Sequence, residues 1–166
     1  MRYKILGLFA AVALLSACET APTVGGTSGG SGVASKAKPQ VASAATVVPG
    51  SQEDLVVSVG DSVYFDFNKF SLRADARNVL ERQAAWLKTN ASVTFSIEGH
   101  CDERGTREFN LALGERRANA VKDYLVTLGI NPVRIKTISY GKERPVAMGS
   151  NNAAWAQNRR GVTKVN

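Results

Sequence analysis

The stretch GHCDERGTREFNLALGERRANAVKDYL, residues 99–125, joins two different patterns in the chain. It continues from SVTFSIEG (92–99), whose alternating apolar residues are typical of a β-strand. After a run of charged and small residues, the segment 110–129 has the apolar spacing of a helix and ends at Gly129, a residue that commonly terminates helices. The apolar face of this helix consists of Leu111, Ala118, Val121 and Leu125. The stretch therefore predicts a strand, a charged loop and an amphipathic helix.

Two segments before this stretch predict another strand and another helix. SVYFDFN (62–68) alternates with aromatic residues and is predicted to be a strand. The segment 71–90 has helical periodicity, and Ser71 is its candidate N-cap. Its apolar face is formed by Leu72, Ala76, Val79, Leu80, Gln83, Ala84 and Leu87.

Three segments after the stretch complete the predicted fold. VRIKTISYG (133–141) is predicted to be a strand, NNAAWAQNRR (151–160) a short helix and GVTKV (161–165) a last, edge-like strand. The order βαβαβ with a terminal strand predicts an α/β (α+β) sandwich, in which one mixed sheet is packed by two main helices. Residues 51–166 are long enough for one such domain.

The chain's only histidine and a cysteine are adjacent in the loop of the opening stretch. Side chains of neighbouring strand residues point to opposite faces, so His100 and Cys101 are poorly placed to share a metal or to act as base and nucleophile. A zinc site also lacks further ligands. We expect His100 to be a structural residue with a hydrogen bond at the strand end, and Cys101 to be a small buried residue. Neither a metal nor a cofactor is predicted.

Asp102 and Arg117 are the candidate binding residues of this region. A loop folded over the start of the helix could place the carboxylate and the guanidinium at opposite sides of one pocket, where they would suit a zwitterion. Alternatively, the two side chains bridge each other or belong to separate surface ion pairs. Physical reasoning leaves these alternatives open. In the zwitterion hypothesis, replacing either residue weakens binding and leaves the fold intact.

The N-terminus has the pattern of a signal peptide, predicted to span residues 1–17. Arg2 and Lys4 precede an apolar run, ILGLFAAVALL (5–15), which is shorter than the roughly 20 residues of a membrane-spanning helix. Leu15-Ser16-Ala17-Cys18 resembles the bacterial lipobox, which implies lipidation of Cys18. Several acyl chains would attach the protein permanently to a membrane. In bacterial lipoproteins, an Asp after the lipidated cysteine is the signal for retention in the inner membrane. Because Glu19 occupies this position, we expect the protein to be attached to the outer membrane and to face the periplasm.

Residues 18–50 are predicted to be a flexible tether. Positions 19–50 contain no aromatic residue, six glycines and three prolines, a composition that cannot form a core. The net charge of +7 for the whole chain decreases to +4 for residues 51–166, which carry 17 basic and 13 acidic residues. Since acidic residues are interspersed among the basic ones, the sequence does not predict a nucleic-acid binder.

The opening stretch resembles the signature of the OmpA-like peptidoglycan-binding domain family. The motifs YFDFNKF, SYGKERP and NRR also occur in the family order, and the resemblance covers about residues 60–165. It implies that Asp102 and Arg117 hold the ammonium and the carboxylate of diaminopimelate in a peptidoglycan stem peptide. Further positions that match the family pocket are Phe67, Asn68, Arg104, Thr106 and Leu113. Cys101 and Asn68 depart from the residues common in the family.

The resemblance also implies a role and partners. The protein would hold the outer membrane to the cell wall without catalysis, through its acyl chains at one end and peptidoglycan binding at the other. A β-propeller protein of the periplasmic Tol system is the implied protein partner, within a system acting in cell division and envelope integrity. A cell-wall-modifying enzyme is the alternative, but the loop offers no evident pair of catalytic carboxylates or activated nucleophile. Another periplasmic binding module also remains an alternative.

Overall fold

The computed structural model describes residues 47–166, so the predicted signal peptide, Cys18 and most of the predicted tether lie outside the described residues. The helices and strands follow in the order α1 (Gln52–Ser58), β1 (Ser62–Tyr64), α2 (Ala74–Thr89), β2 (Phe95–His100), α3 (Arg107–Thr127), β3 (Ile135–Gly141), α4 (Asn152–Asn158) and β4 (Arg160–Val165). A single 3₁₀ turn, Pro132–Arg134, precedes β3 in this part of the chain. No helix among the described residues is long and apolar enough to cross a membrane.

The four strands form one mixed sheet in the order β1-β4-β2-β3. Strands β2 and β3 are parallel, whereas β4 runs antiparallel to both β1 and β2. The prediction of an edge-like last strand is therefore wrong, because β4 lies inside the sheet. Its buried positions explain this placement: Gly161 fits closely under α3, and Thr163 forms a buried 2.8 Å hydrogen bond with Gln83 of α2.

Helices α2 and α3 pack together on one side of the sheet, which confirms the predicted α/β fold. The core between them contains Leu80, Ala84, Leu87, Phe95, Ile97, Val121 and Leu125, all nearly inaccessible to solvent. Helix α3 approaches β2 so closely that a Cβ atom on Gly99 would lie 1.8 Å from the carbonyl oxygen of Gly114. This contact fixes the start of α3 against the end of β2.

Three local features differ from the sequence prediction. Helix α2 begins at Ala74, with Arg73 at the N-cap position and no side-chain cap, so Ser71 is not its cap. Strand β1 ends at Tyr64; of the aromatic residues after it, Phe65 is buried in the core and Phe67 belongs to a turn. Helix α1 was not predicted; its single buried apolar residue, Leu55, gives too weak a periodicity to detect.

Candidate functional site

The candidate site lies where β2 ends and α3 begins. Its pocket is closed on its other sides by the turn after β1 and by the residue that precedes β4. The lining residues are Phe67, Asn68, Cys101, Asp102, Arg104, Phe109, Asn110, Leu113, Arg117 and Arg159. The pocket therefore brings together every predicted ligand residue except Thr106.

Asp102 is a buried carboxylate surrounded by donors. It is 3% exposed and accepts bonds from the Arg104 side chain at 2.6 and 3.2 Å, from the Arg104 backbone N–H at 3.2 Å and from Arg159 at 3.3 Å. Burial acts to raise the pKa of Asp102, but these hydrogen bonds outweigh it and hold the pKa below its usual value. Asp102 is therefore ionised at neutral pH and can hold a cation.

Arg117 is fully buried and bonded mainly to the backbone. Its Nε donates to the carbonyl of Lys69 at 2.9 Å, Nη1 to that of His100 at 2.7 Å and Nη2 to that of Asp66 at 3.1 Å. Nη1 also lies 3.4 Å from the sulfur of Cys101. Since a guanidinium has five N–H donors, about one remains for a ligand. In this conformation Arg117 can add one contact to a carboxylate, not the bidentate pair that a rim position would allow.

Of the alternatives left open by the sequence, the structure shows separate partners for the two residues. Within residues 47–166 no ion pair joins Asp102 to Arg117; the carboxylate pairs with Arg104 and Arg159. Both side chains nevertheless line the same pocket. Burial lowers the pKa of Arg117. Among the described residues, its guanidinium takes part in no surface ion pair. The geometry thus retains the common pocket that a zwitterion needs.

Arg104 lies between two aromatic rings at the mouth of the pocket. Its guanidinium carbon is 4.0 Å from the ring centre of Phe67 and 4.1 Å from that of Trp155. Helix α4 supplies Trp155, whose Nε1 donates to Glu103 at 2.9 Å. Together with the ion pair, these contacts place the guanidinium beside Asp102.

Arg159 is a site residue that the sequence analysis did not assign. Its Nε donates to the carbonyl of Phe65 at 3.0 Å, and its Nη1 reaches Asp102. The side chain lines the pocket and is only 16% exposed. The NRR motif contains Arg159, but no local pattern places it near Asp102, which is 57 residues away in the chain.

Asn110 and Thr106 hold the loop in shape. Asn110, also missed, donates from Nδ2 to the carbonyls of Arg104 and Thr106 at 2.8 and 3.0 Å. Thr106 is the N-cap of α3, and its hydroxyl oxygen accepts from the Phe109 N–H at 3.2 Å. Because it caps the helix and is absent from the pocket wall, Thr106 supports the loop in the structure and does not line the pocket.

Asn68 and Phe67 form the tip of the turn after β1. Asn68 has φ of +56°, a left-handed conformation that asparagine tolerates better than most residues. This conformation presents Phe67 at the pocket mouth, where it is 56% exposed. Leu113, on the first turns of α3, supplies an apolar part of the opposite wall.

Cys101 and His100 are both buried at the end of β2. Cys101 is buried as predicted, and its sulfur lines the pocket and lies 3.4 Å from Nη1 of Arg117. Burial raises the pKa of this thiol, which keeps it protonated and a poor nucleophile. His100 is buried, as expected of a structural residue, and its backbone carbonyl accepts from Nη1 of Arg117 at 2.7 Å. Among residues 47–166 the nearest carboxylate to its ring is Glu98, at 3.6 Å from Nε2.

The lining of the pocket is suited to binding charged groups. Its carboxylate, three guanidinium groups and apolar wall are complementary to a ligand that carries both charges. Among the residues that the structure describes, no three His, Cys, Asp or Glu side chains are grouped closely enough to hold a metal ion.

Comparison with known proteins shows the same domain in several bacteria. The OmpA family matches residues 64–159. The peptidoglycan-associated lipoprotein of Rhizobium meliloti is 55% identical over 120 residues, which cover 72% of this chain and 68% of the relative. That of Pseudomonas aeruginosa is 42% identical over 158 residues, covering 93% and 94%.

Solved structures share the fold. The crystal structure of the peptidoglycan-associated lipoprotein from Burkholderia pseudomallei has 43% sequence identity and a TM-score of 0.62, and the match covers 64% of this chain and 90% of that one. The C-terminal domain of Helicobacter pylori MotB has a TM-score of 0.60 at 22% identity, covering 64% and 84%, which shows the fold alone.

Proposed function

Because the chain belongs to the OmpA family and groups there with the peptidoglycan-associated lipoproteins, we propose that its pocket binds the diaminopimelate end of a peptidoglycan stem peptide. The observation that carries this proposal is the burial of the ionised Asp102 carboxylate inside a pocket lined by guanidinium groups. Burying a charged group costs free energy unless the group is paired, and buried charged groups with shifted pKa values are common at functional sites.

The free end of diaminopimelate carries an ammonium and a carboxylate on one carbon. Its ammonium would donate a charge-assisted hydrogen bond to the Asp102 carboxylate. Its carboxylate would lie against Arg159 and the remaining N–H of Arg117, on the side of the pocket where both guanidinium groups are held by backbone carbonyls. Leu113 and Phe67 would contact the aliphatic chain.

Binding of this kind is non-covalent. The thiol of Cys101 is buried and protonated, and the ionised Asp102 is engaged by arginines, so neither supports a hydrolytic role. The protein acts as a cell-wall binding module and not as a cell-wall-modifying enzyme.

Lipidation of Cys18 would fix the other end of the protein in the outer membrane, facing the periplasm. The 32 residues from 19 to 50 can span at most about 105 Å, which lets the domain reach the cell wall from that membrane. Holding both ends raises the effective concentration of each contact. Replacement Cys18→Ala should leave a precursor that fractionates away from the outer membrane; normal recovery there would exclude this attachment.

A periplasmic β-propeller protein of the Tol system is the protein partner that we include in this proposal, with a role in cell division and envelope integrity. Its support is the family resemblance of the sequence, together with the similarity to the peptidoglycan-associated lipoproteins.

Co-sedimentation with purified cell-wall sacculi tests the proposed function. The protein should pellet with sacculi that contain diaminopimelate and much less with sacculi whose stem peptides contain lysine, because lysine lacks the terminal carboxylate. An added excess of diaminopimelate stem peptide should release it. Equal retention on both types of sacculi would argue against recognition of this residue.

A further inference from the structure

Arg104 makes two parallel hydrogen bonds to Asp102. Nη2 donates to one carboxylate oxygen at 2.6 Å and Nε to the other at 3.2 Å. This bidentate arrangement is the strongest pairing that a carboxylate forms with a side chain. The guanidinium therefore occupies the place that a ligand ammonium would need in order to reach Asp102.

The pocket has little free space beside this ion pair. Its unfilled interior would hold about one water molecule in this conformation. The amino-acid end of diaminopimelate is several times larger. One of the lining side chains must move before such a ligand can enter.

Arg104 is the charged side chain that can move at the lowest cost. Arg117 is bonded to three backbone carbonyls and Arg159 to one, so displacing either would break links between structural elements. The guanidinium of Arg104 bonds only to Asp102 among the described residues and is otherwise held by two aromatic rings. Its side chain is 33% exposed, compared with 16% for Arg159.

We propose that Arg104 is an internal competing cation, which the ammonium of the ligand displaces from Asp102. This inference rests on the proposed function and specifies how the same site selects its ligand. A ligand with an ammonium replaces one cation by another and keeps Asp102 paired. A ligand without a cation would leave a buried carboxylate with fewer partners, which is costly.

The two aromatic rings determine how firmly Arg104 competes. Phe67 and Trp155 each lie within cation–π distance of the guanidinium. Each of these contacts stabilises the conformation in which Arg104 is paired with Asp102. A site that is open only part of the time binds its ligand with correspondingly lower apparent affinity. Arg104 therefore lowers affinity and, in exchange, raises selectivity for cationic ligands.

Titration of the full-length chain in detergent with stem peptides tests the inference. One peptide carries free diaminopimelate, and the second has the side-chain amine acetylated. The variant Arg104→Gln should bind the free-amine peptide about tenfold more tightly than the parent, because a partly buried ion pair and two cation–π contacts no longer compete. For the acetylated peptide, the increase in affinity from the parent to Arg104→Gln should be much smaller.

Arg107→Gln is the matched control. It removes the same charge from the same region, and Arg107 pairs with Glu143 and not with Asp102. Its affinity should stay close to that of the parent. A milder variant, Trp155→Leu, keeps the ion pair but removes one of the two rings. It should increase the affinity for the free-amine peptide by less than Arg104→Gln does.

Trp155 fluorescence reports the displacement itself. The difference between the emission of the parent and that of Trp155→Phe isolates Trp155 from Trp86. This difference should change when the free-amine peptide binds, and the change should be absent in Arg104→Gln.

The outcomes separate this inference from the proposed function. If the parent binds the free-amine peptide and Arg104→Gln binds it equally or more weakly, the site is correct but Arg104 is a direct contact, and the inference is wrong. If Arg104→Gln increases the affinity for both peptides equally, Arg104 only blocks space and does not select cations, and the inference is wrong. If neither protein binds either peptide, the proposed function fails and the inference fails with it.

Discussion

Asp102 and Arg117 have different roles, although the sequence suggested a symmetrical pair. Asp102 lines the pocket, and its side-chain partners are the guanidinium groups of Arg104 and Arg159. Arg117 links the turn after β1 to the end of β2 through the carbonyls of Asp66, Lys69 and His100. In the proposed function the carboxylate is mainly a binding residue, whereas the guanidinium is both a pocket wall and a structural link.

The structural role of Arg117 predicts a loss of stability. Arg117→Ala would leave three carbonyls without their donor, and we expect the free energy of unfolding to decrease by about 3 kcal/mol or more. This reverses the expectation of an intact fold that came from the sequence. Urea denaturation measures the change. Arg116→Ala, an adjacent and exposed position, is the control and should stay within about 0.5 kcal/mol of the parent. Equal stability of the two variants would contradict the structural role.

His100 predicts a dependence of stability on pH. Burial, followed by the positive charges of Arg160 and Arg144, lowers the pKa of His100 from 6.5 to about 4. Because the folded state binds this proton less readily than the unfolded state, the stability present above pH 6.5 is lost as the pH falls towards 4. The loss should total about 3 kcal/mol.

The variant His100→Gln isolates this effect. Its free energy of unfolding should change less between pH 7 and pH 4 than that of the parent, as measured by urea denaturation at several pH values. Asp102 contributes mainly below that interval, because its pKa in the folded state is held below the usual value. Parallel curves for the two proteins would show that His100 does not cause the slope.

At the level of helices and strands, the site depends on how closely α3 packs on the sheet. Gly99 of β2 and Gly114 of α3 allow backbone contact: a Cβ on Gly114 would lie 2.4 Å from the hydroxyl of Ser139 on β3. This contact places Asn110 and Arg117 of α3 next to the loop that carries Asp102. The geometry of the pocket follows from the packing of these elements.

Gly99→Ala should therefore disturb the fold and the pocket together. Its new methyl group would collide with backbone, and we expect a loss of about 2 kcal/mol or more. Gly161→Ala in β4 is the control, because the nearest atom to its new Cβ would be a side-chain carbon at 3.3 Å. Thermal and urea unfolding should rank Gly161→Ala as the more stable variant; the opposite order would contradict the close contact.

The main elements were predictable because their patterns are local. Helices α2 and α3 and strands β2 and β3 have long periodic segments, and the predicted ranges overlap the observed ones. The interior position of β4 was not predictable, since strand order depends on long-range pairing. Similarly, Asp102 and Arg117 could be identified from one stretch, whereas Arg159 and Trp155 come near Asp102 only through the fold.

At the level of the whole molecule, the proposed function gives the chain two attachments. The described domain offers a narrow, charged pocket at one edge of its sheet, and the proposed lipid is separated from it by a segment of 32 residues. Neither attachment requires catalysis. The strength of the link between membrane and wall would then depend on the pocket, because acyl chains leave a membrane far less readily than a stem peptide leaves a small site.

The most direct test of the proposed pocket is calorimetric titration of the parent and of Asp102→Asn with two stem peptides, one containing diaminopimelate and the other lysine. The parent should prefer diaminopimelate, and Asp102→Asn should bind it about thirty-fold or more weakly, because a desolvated charged contact is lost. Circular dichroism should confirm that the variant is folded. If folded Asp102→Asn binds diaminopimelate as tightly as the parent, the ammonium is held elsewhere and the proposed pocket is wrong.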